Sequence, residues 1–202
     1  MVFSSSIFIF VFLPISLTGY YLLDRKYRNV FLLLMSLAFY AWGEPKFIII
    51  LIGSTFLNYV YALLVNHYRD NKSIVKLILT LMVLSNLAIL FVFKYLNFVV
   101  TNVNCLFSTE FAVPNIALPI GISFFTFQAM SYVFDIYRKN GNVQKNPLNV
   151  ALYIAFFPQL VAGPIVRYET VAREINSRKE TFSDFSAGMS RFIIGLGKKV
   201  II

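Results

Sequence analysis

The sequence predicts an all-α, polytopic membrane protein, on three observations. First, the 202 residues are 58% hydrophobic and only 13% charged, whereas a soluble domain is usually about 25% charged. Second, apolar runs follow one another along the chain, separated by short polar segments, and the mean hydropathy is +0.72. Third, the basic residues behind the net charge of +9 sit between the apolar runs. There they set topology and touch anionic lipid, so the charge is not a nucleic-acid signal.

The runs are read in order. Ile7–Leu23 is a first span interrupted by Pro14 and Gly19, followed by a basic loop, Asp24–Asn29. Val30–Trp42 is a second run, short for a full crossing, with Tyr40 and Trp42 where an interfacial aromatic belt would stand. Phe47–Val65 is a third span carrying Ser54, Thr55 and Asn58, and Asn66–Lys72 is a polar loop. Ile74–Phe93 is a fourth span with Ser85 and Asn86 inside it. Lys94–Asn115 reads as a longer connection, partly an interfacial helix. Ile116–Tyr137 is the fifth span, and Arg138–Pro147 is a turn-rich loop.

Lysine and arginine orient the chain. With the N-terminus outside the cytoplasm, nine basic residues fall on the cytoplasmic side: Arg25, Lys26, Arg28, Arg69, Lys72, Lys76, Arg138, Lys139 and Lys145. Only Lys46 and Lys94 face out. A crossing by the next run, Leu148–Ala162, would put the basic residues from Arg167 to Lys199 on the outer side, against that bias. The expectation is therefore a re-entrant segment over Leu148–Tyr168, broken at Pro158, Gly163 and Pro164. A cytoplasmic surface helix over Glu169–Glu180 follows. A further helix starts near Phe185, capped by Thr181 or Ser183, and is cut at Ile202 within an apolar run. The expectation is an N-terminal portion of a longer chain. The N-terminus has no basic region ahead of its apolar run and does not read as a cleaved signal peptide.

Candidate functional residues concentrate in Pro119–Arg138. At 100° per residue, Gln128, Ser131, Asp135 and Arg138 lie within an arc of about 80°. Phe124 joins that face, and Thr126 points the other way. Polar groups at bilayer depth are costly toward lipid, so this arc faces protein or a water-filled cavity. Gln128 and Gln159 are amides able to hydrogen-bond a carbonyl or hydroxyl, and Arg167 is able to hold a phosphate or carboxylate. With Ser123, Ser131, Asp135 and Arg138 they form the set of substrate-tunnel candidates. The alternative for each is structural: interhelical glue for Gln128 and Ser131, an i,i+3 pair for Asp135 and Arg138, and local caps for Gln159 and Arg167.

No catalytic group is read within the chain. Ser123 has no neighbouring base, Cys105 lies beside an outer loop, and the one histidine, His67, sits in a polar loop. No metal-ligand spacing and no phosphate-binding glycine loop are present. A single cysteine excludes an internal disulfide.

Five stretches in one order carry a resemblance: Met1–Ser5 (MVFSS), Phe39–Phe47 (FYAWGEPKF), Leu118–Arg138 (LPIGISFFTFQAMSYVFDIYR), Phe156–Tyr168 (FFPQLVAGPIVRY) and Gly195–Val200 (GLGKKV). Together they resemble the N-terminal part of a bacterial membrane-bound O-acyltransferase (MBOAT), of the alginate or peptidoglycan O-acetyltransferase branch. The resemblance runs along essentially the whole chain. It implies a multi-helix MBOAT fold around a funnel and tunnel, in the bacterial inner membrane. It implies a cytoplasmic acyl donor, acetyl-CoA or an acylated carrier, and an extracytoplasmic polysaccharide acceptor. It also implies an esterase-like periplasmic or extracellular partner, and a signature histidine beyond residue 202. The competing classes are a transporter or flippase of envelope precursors, which would be expected to show an inverted repeat that is not evident here, and a non-catalytic scaffold.

Overall fold

The computed structural model describes residues 3–138, 142–160, 163 and 166–201. All regular structure among them is helical. A π-helical turn (Phe8–Phe12) leads into α1 (Leu13–Leu22), then α2 (Arg25–Gly43) and α3 (Ile48–His67). The next helix, α4 (Lys72–Leu90), continues through a π-helical turn at Phe91–Tyr95 into α5 (Leu96–Phe107). After an irregular segment come α6 (Ile122–Tyr137), α7 (Pro147–Ala155), the one-turn α8 (Phe157–Leu160), α9 (Tyr168–Ser177) and α10 (Phe182–Ile201). Helix α6 packs on α3, α4, α7 and α9, while α7 also packs on α2 and α3.

Three expected boundaries are corrected. Helix α2 begins at Arg25, so the expected basic loop Asp24–Asn29 is mostly its first turn. Arg and Lys are good helix formers, and their long stems carry the charge away from apolar neighbours. The expected connection from Lys94 is helical to Phe107, giving one helix over Lys72–Phe107. Its polar side chains bond back into their own helix: Thr101 Oγ1 donates to Asn97 O at 2.8 Å and Asn102 Nδ2 to Phe98 O at 2.7 Å. The expected fifth span, Ile116–Tyr137, is helical only from Ile122. Pro119 disfavours a helical Leu118, and Gly121 sits at φ 77°. A Cβ at Gly121 would lie 2.9 Å from the Leu160 carbonyl oxygen, so only glycine fits where α6 starts against the end of α8.

Helices α3 and α4 bury a few polar residues among apolar ones and also expose large apolar side chains. Ser54, Thr55 and Asn58 are buried on α3, while Ile49 and Phe56 are 75% and 62% exposed. On α4, Asn86 is buried and Leu77, Leu81 and Leu84 are exposed. A soluble helix turns its apolar stripe to the core; here Asn58 and Asn86 pair inside while large apolar residues also face outward, which suits a lipid solvent. Ile48–His67 and Lys72–Phe107 are both long and apolar enough to cross a membrane.

The main core runs from Leu51, Ala62 and Met82 on α3 and α4 through Phe125, Ala129 and Val133 on α6 to Val150 and Ile154 on α7. A second, aromatic cluster joins the N-terminal helix to the break after α7. Phe12 and Phe157 have ring centroids 5.3 Å apart, and Phe39 and Phe157 5.7 Å. The Phe12–Phe157 pair is edge-to-face, a geometry that adds about 0.5–1.5 kcal/mol beyond the area buried.

Candidate functional site

The helical run breaks at Phe156, which adopts φ −57°, ψ 116° between α7 and α8. Pro158 follows two residues later. The amide of Phe157, freed by the break, donates to Ser36 Oγ on α2 at 3.2 Å. The turn of α8 then presents Gln159. Val161, Ala162, Pro164 and Ile165 of the FFPQLVAGPIVRY stretch lie outside the described residues, as do Met1, Val2 and Lys139.

The chain that returns from the break is held by the polar face of α6. Gln128 Nε2 donates to the Val166 carbonyl at 3.1 Å, and Tyr153 Oη donates to the same oxygen at 2.6 Å. Two turns further along α6, Asp135 Oδ2 accepts from the Tyr168 amide at 3.2 Å. Ser131 Oγ donates to Gln128 O at 2.8 Å and stands 3.5 Å from Tyr153 Oη. Tyr132, Tyr153 and Tyr168 pack ring to ring beneath this junction, with centroids of the Tyr132–Tyr168 pair 4.8 Å apart. Gln128 and Asp135 are both buried, so each bond replaces a water contact that the interior denies.

Beside the junction lies an apolar cavity of about 400 Å³, between α1, α7, α8 and α9. Gln159 and Tyr153 line it with Leu17, Leu32 and Phe156. The Gln159 Oε1 is buried there without a hydrogen-bond partner among the described residues, and so is Gln128 Oε1 on α6. Gln128, Ser131 and Asp135 do not line this cavity; Tyr153 is the residue shared by the two groups.

The cavity rim is a charged network. Tyr20 donates to Glu180 Oε1, Arg28 Nη1 lies 3.1 Å and Arg178 Nε 3.3 Å from that same oxygen. Both guanidinium groups also lie over the Tyr20 ring, at 4.9 and 5.1 Å from its centroid. Arg178 Nη1 donates to Asn29 Oδ1 at 2.7 Å, which ties the α9–α10 linker to α2. The Tyr20 hydroxyl, reinforced by the Arg28 charge, holds the Glu180 carboxyl down at about 2.

The remaining predicted residues disperse. Ser123, half-buried in the first turn of α6, is 3.5 Å from Lys94 Nζ. Arg138 is exposed at the C-terminal end of α6 and turns toward Arg69, Lys72 and Lys76. Arg167 is exposed at the N-terminal end of α9. His67 is exposed at the end of α3 with its ring against Tyr68. Cys105 is exposed on α5. Sequence reasoning missed Tyr153 and the Tyr20–Glu180 network. A tyrosine hydroxyl in an apolar run does call for a partner, but the partners here lie 13 and 160 residues away along the chain.

Two helices long and apolar enough to cross a membrane, beside a broken helix pinned to α6 by the buried Gln128 amide and the Asp135 carboxylate, point to a helical membrane protein. No family model and no solved structure matches the chain. Among curated proteins it is 41% identical over 206 residues to the probable alginate O-acetylase AlgI of Pseudomonas syringae pv. tomato, covering 100% of this chain and 40% of that protein. It is 39% identical to the probable alginate O-acetylase AlgI of Pseudomonas aeruginosa, with the same shares covered. The peptidoglycan O-acetyltransferase of Helicobacter pylori is 33% identical over 234 residues, covering 100% of this chain and 44% of that protein. The chain thus spans about two fifths of the length of the curated relatives it matches.

Proposed function

We propose that the full-length protein carrying this segment is a membrane-bound O-acyltransferase. It passes an acetyl group from a cytoplasmic donor, acetyl-CoA or an acylated carrier, across the bacterial inner membrane. The acceptor is an extracytoplasmic polysaccharide such as alginate or peptidoglycan, and an esterase-like partner on the outer side completes the transfer. The observation that carries this reading is similarity along the whole chain to proteins named as alginate and peptidoglycan O-acetyltransferases.

In this reading the segment is multi-pass, with its N-terminus outside, and residues 148–168 are a re-entrant element that does not cross. The catalytic base lies beyond residue 202. This segment supplies a wall of the acyl passage: the α6 face from Gln128 to Asp135 and the broken stretch from Phe157 to Arg167. Gln128 and Asp135 position that stretch through Val166 and Tyr168. Gln159 offers a buried acceptor oxygen to a passing hydroxyl, thiol or amide N–H. Arg167 meets an anionic part of the donor on the cytoplasmic side.

The test uses Gln128→Leu and Arg167→Ala in the full-length gene, with ester-linked acetate on the envelope polymer and protein abundance in the membrane fraction as readouts. Loss of acetate at unchanged abundance is expected. Normal acetylation in both variants overturns the assignment.

A further inference from the structure

A second pocket, of about 470 Å³, lies away from the α8 break, where the ends of α3, α4 and α6 meet. Four cations converge on it, Arg69, Lys72, Lys76 and Arg138, against one carboxylate, Asp70, above a wall of Val65 and Val75. Both ion pairs found among the described residues are on Glu180, so none of these four cations has a carboxylate partner there. Arg69 is nevertheless oriented: its Nη2 donates to the Ile136 carbonyl at 2.9 Å, which leaves the rest of the guanidinium fork to point elsewhere. Convergent like charges repel, and an anion seated among them removes that cost.

The location narrows the anion. The pocket sits at the turn between Ile48–His67 and Lys72–Phe107, the two helices long and apolar enough to cross a membrane. At such a turn the helices leave the hydrocarbon and enter the headgroup layer. Further along α4, exposed Leu77, Leu81 and Leu84 form an apolar track. Phosphate chemistry at one end and an apolar track at the other match a phospholipid better than a free anion.

We propose that this pocket binds the phosphate headgroup of an anionic phospholipid, with the acyl chains lying along the exposed face of α4. Lys72 and Lys76, one helical turn apart, meet the phosphate as point charges, and Arg69 and Arg138 meet it with their forks. The inference rests on the chain lying in a membrane and is independent of the acyl-transfer chemistry.

The test is native mass spectrometry of the full-length protein in detergent. Phosphatidylglycerol and phosphatidylcholine of identical chains are titrated separately, and glycerol 3-phosphate is added as a soluble competitor. Wild-type protein should retain phosphatidylglycerol at least about fivefold more tightly than phosphatidylcholine, and each lysine removed in Lys72→Gln and Lys76→Gln should cost about fivefold. Both lysines are exposed, so these changes spare the core; Lys72→Arg should rescue. Equal retention of the two lipids, or unchanged retention in both glutamine variants, overturns the proposal. Full competition by glycerol 3-phosphate also overturns it and reassigns the pocket to a soluble phosphate. Extraction of the wild-type protein from membranes by alkaline carbonate reports failure of the membrane reading separately.

Discussion

Asn58 on α3 and Asn86 on α4 exchange two hydrogen bonds, each 3.0 Å, with both side chains fully buried. Each amide also donates back to its own helix, Asn58 to Ser54 O at 2.9 Å and Asn86 to Met82 O at 2.8 Å. The pair is closed on itself and holds the two membrane-length helices in one register. Asn58→Leu should cost about 1–2 kcal/mol because it strands the partner amide. The double change to leucine should cost less than the two single changes added together. Denaturant titration in detergent measures all three.

Gly121→Ala tests the start of α6. The added methyl would meet the Leu160 carbonyl at 2.9 Å, at φ 77°, where a side chain is already strained. A loss of about 1–2 kcal/mol is expected from the backbone conformation alone. The thermal midpoint of the purified protein reads it, and Gly188→Ala, with open space around it, serves as the control.

The α6 carboxylate separates a hydrogen-bonding role from a charge role. Asp135 Oδ2 accepts from the Tyr168 amide. Asp135→Asn keeps an acceptor oxygen and should retain polymer acetylation. Asp135→Leu removes it, frees the start of α9 and should lower acetylation on the order of 100-fold through misplacement of the following wall. Acetate release from the polymer under mild base compares the two variants.

The Glu180 network carries a pH signature. Its carboxyl, held at about 2 against an ordinary 4.5, favours the folded state once ionised. That contribution is complete above 4.5 and is lost as the pH falls from 4.5 toward about 2. The difference in thermal midpoint between wild type and Glu180→Gln should therefore be constant above 4.5 and close below it. A gap that widens on acidification would contradict the network.

The helices were legible from run length and from proline and glycine, because those signals act locally. The arc from Gln128 to Asp135 was legible for the same reason: a 3.6-residue period places its members on one face. What that face meets was not, since the Val166 carbonyl and Tyr168 amide reach it across the break and carry no side-chain signature. Arg138 shows the limit of periodicity. It falls in the arc by angle, yet it stands at the end of α6, where it joins cations from α3 and α4 instead. Gln159 and Tyr20 meet one cavity from opposite ends of the sequence, which no local pattern encodes.

The continuous helix Lys72–Phe107 has a geometric consequence. Its 36 residues extend about 54 Å. Fitting that length inside a hydrocarbon core about 30 Å thick needs a tilt of about 56°, beyond the range that membrane helices adopt. In a bilayer its far end must stand proud of the lipid. Asn97 grips Ile116 through both its amide and its carbonyl, and Asn104 does the same to Phe111, so the returning irregular segment is tied to the helix. The reach of this helix scales with residue count, and deleting one turn would shorten it by about 5.4 Å.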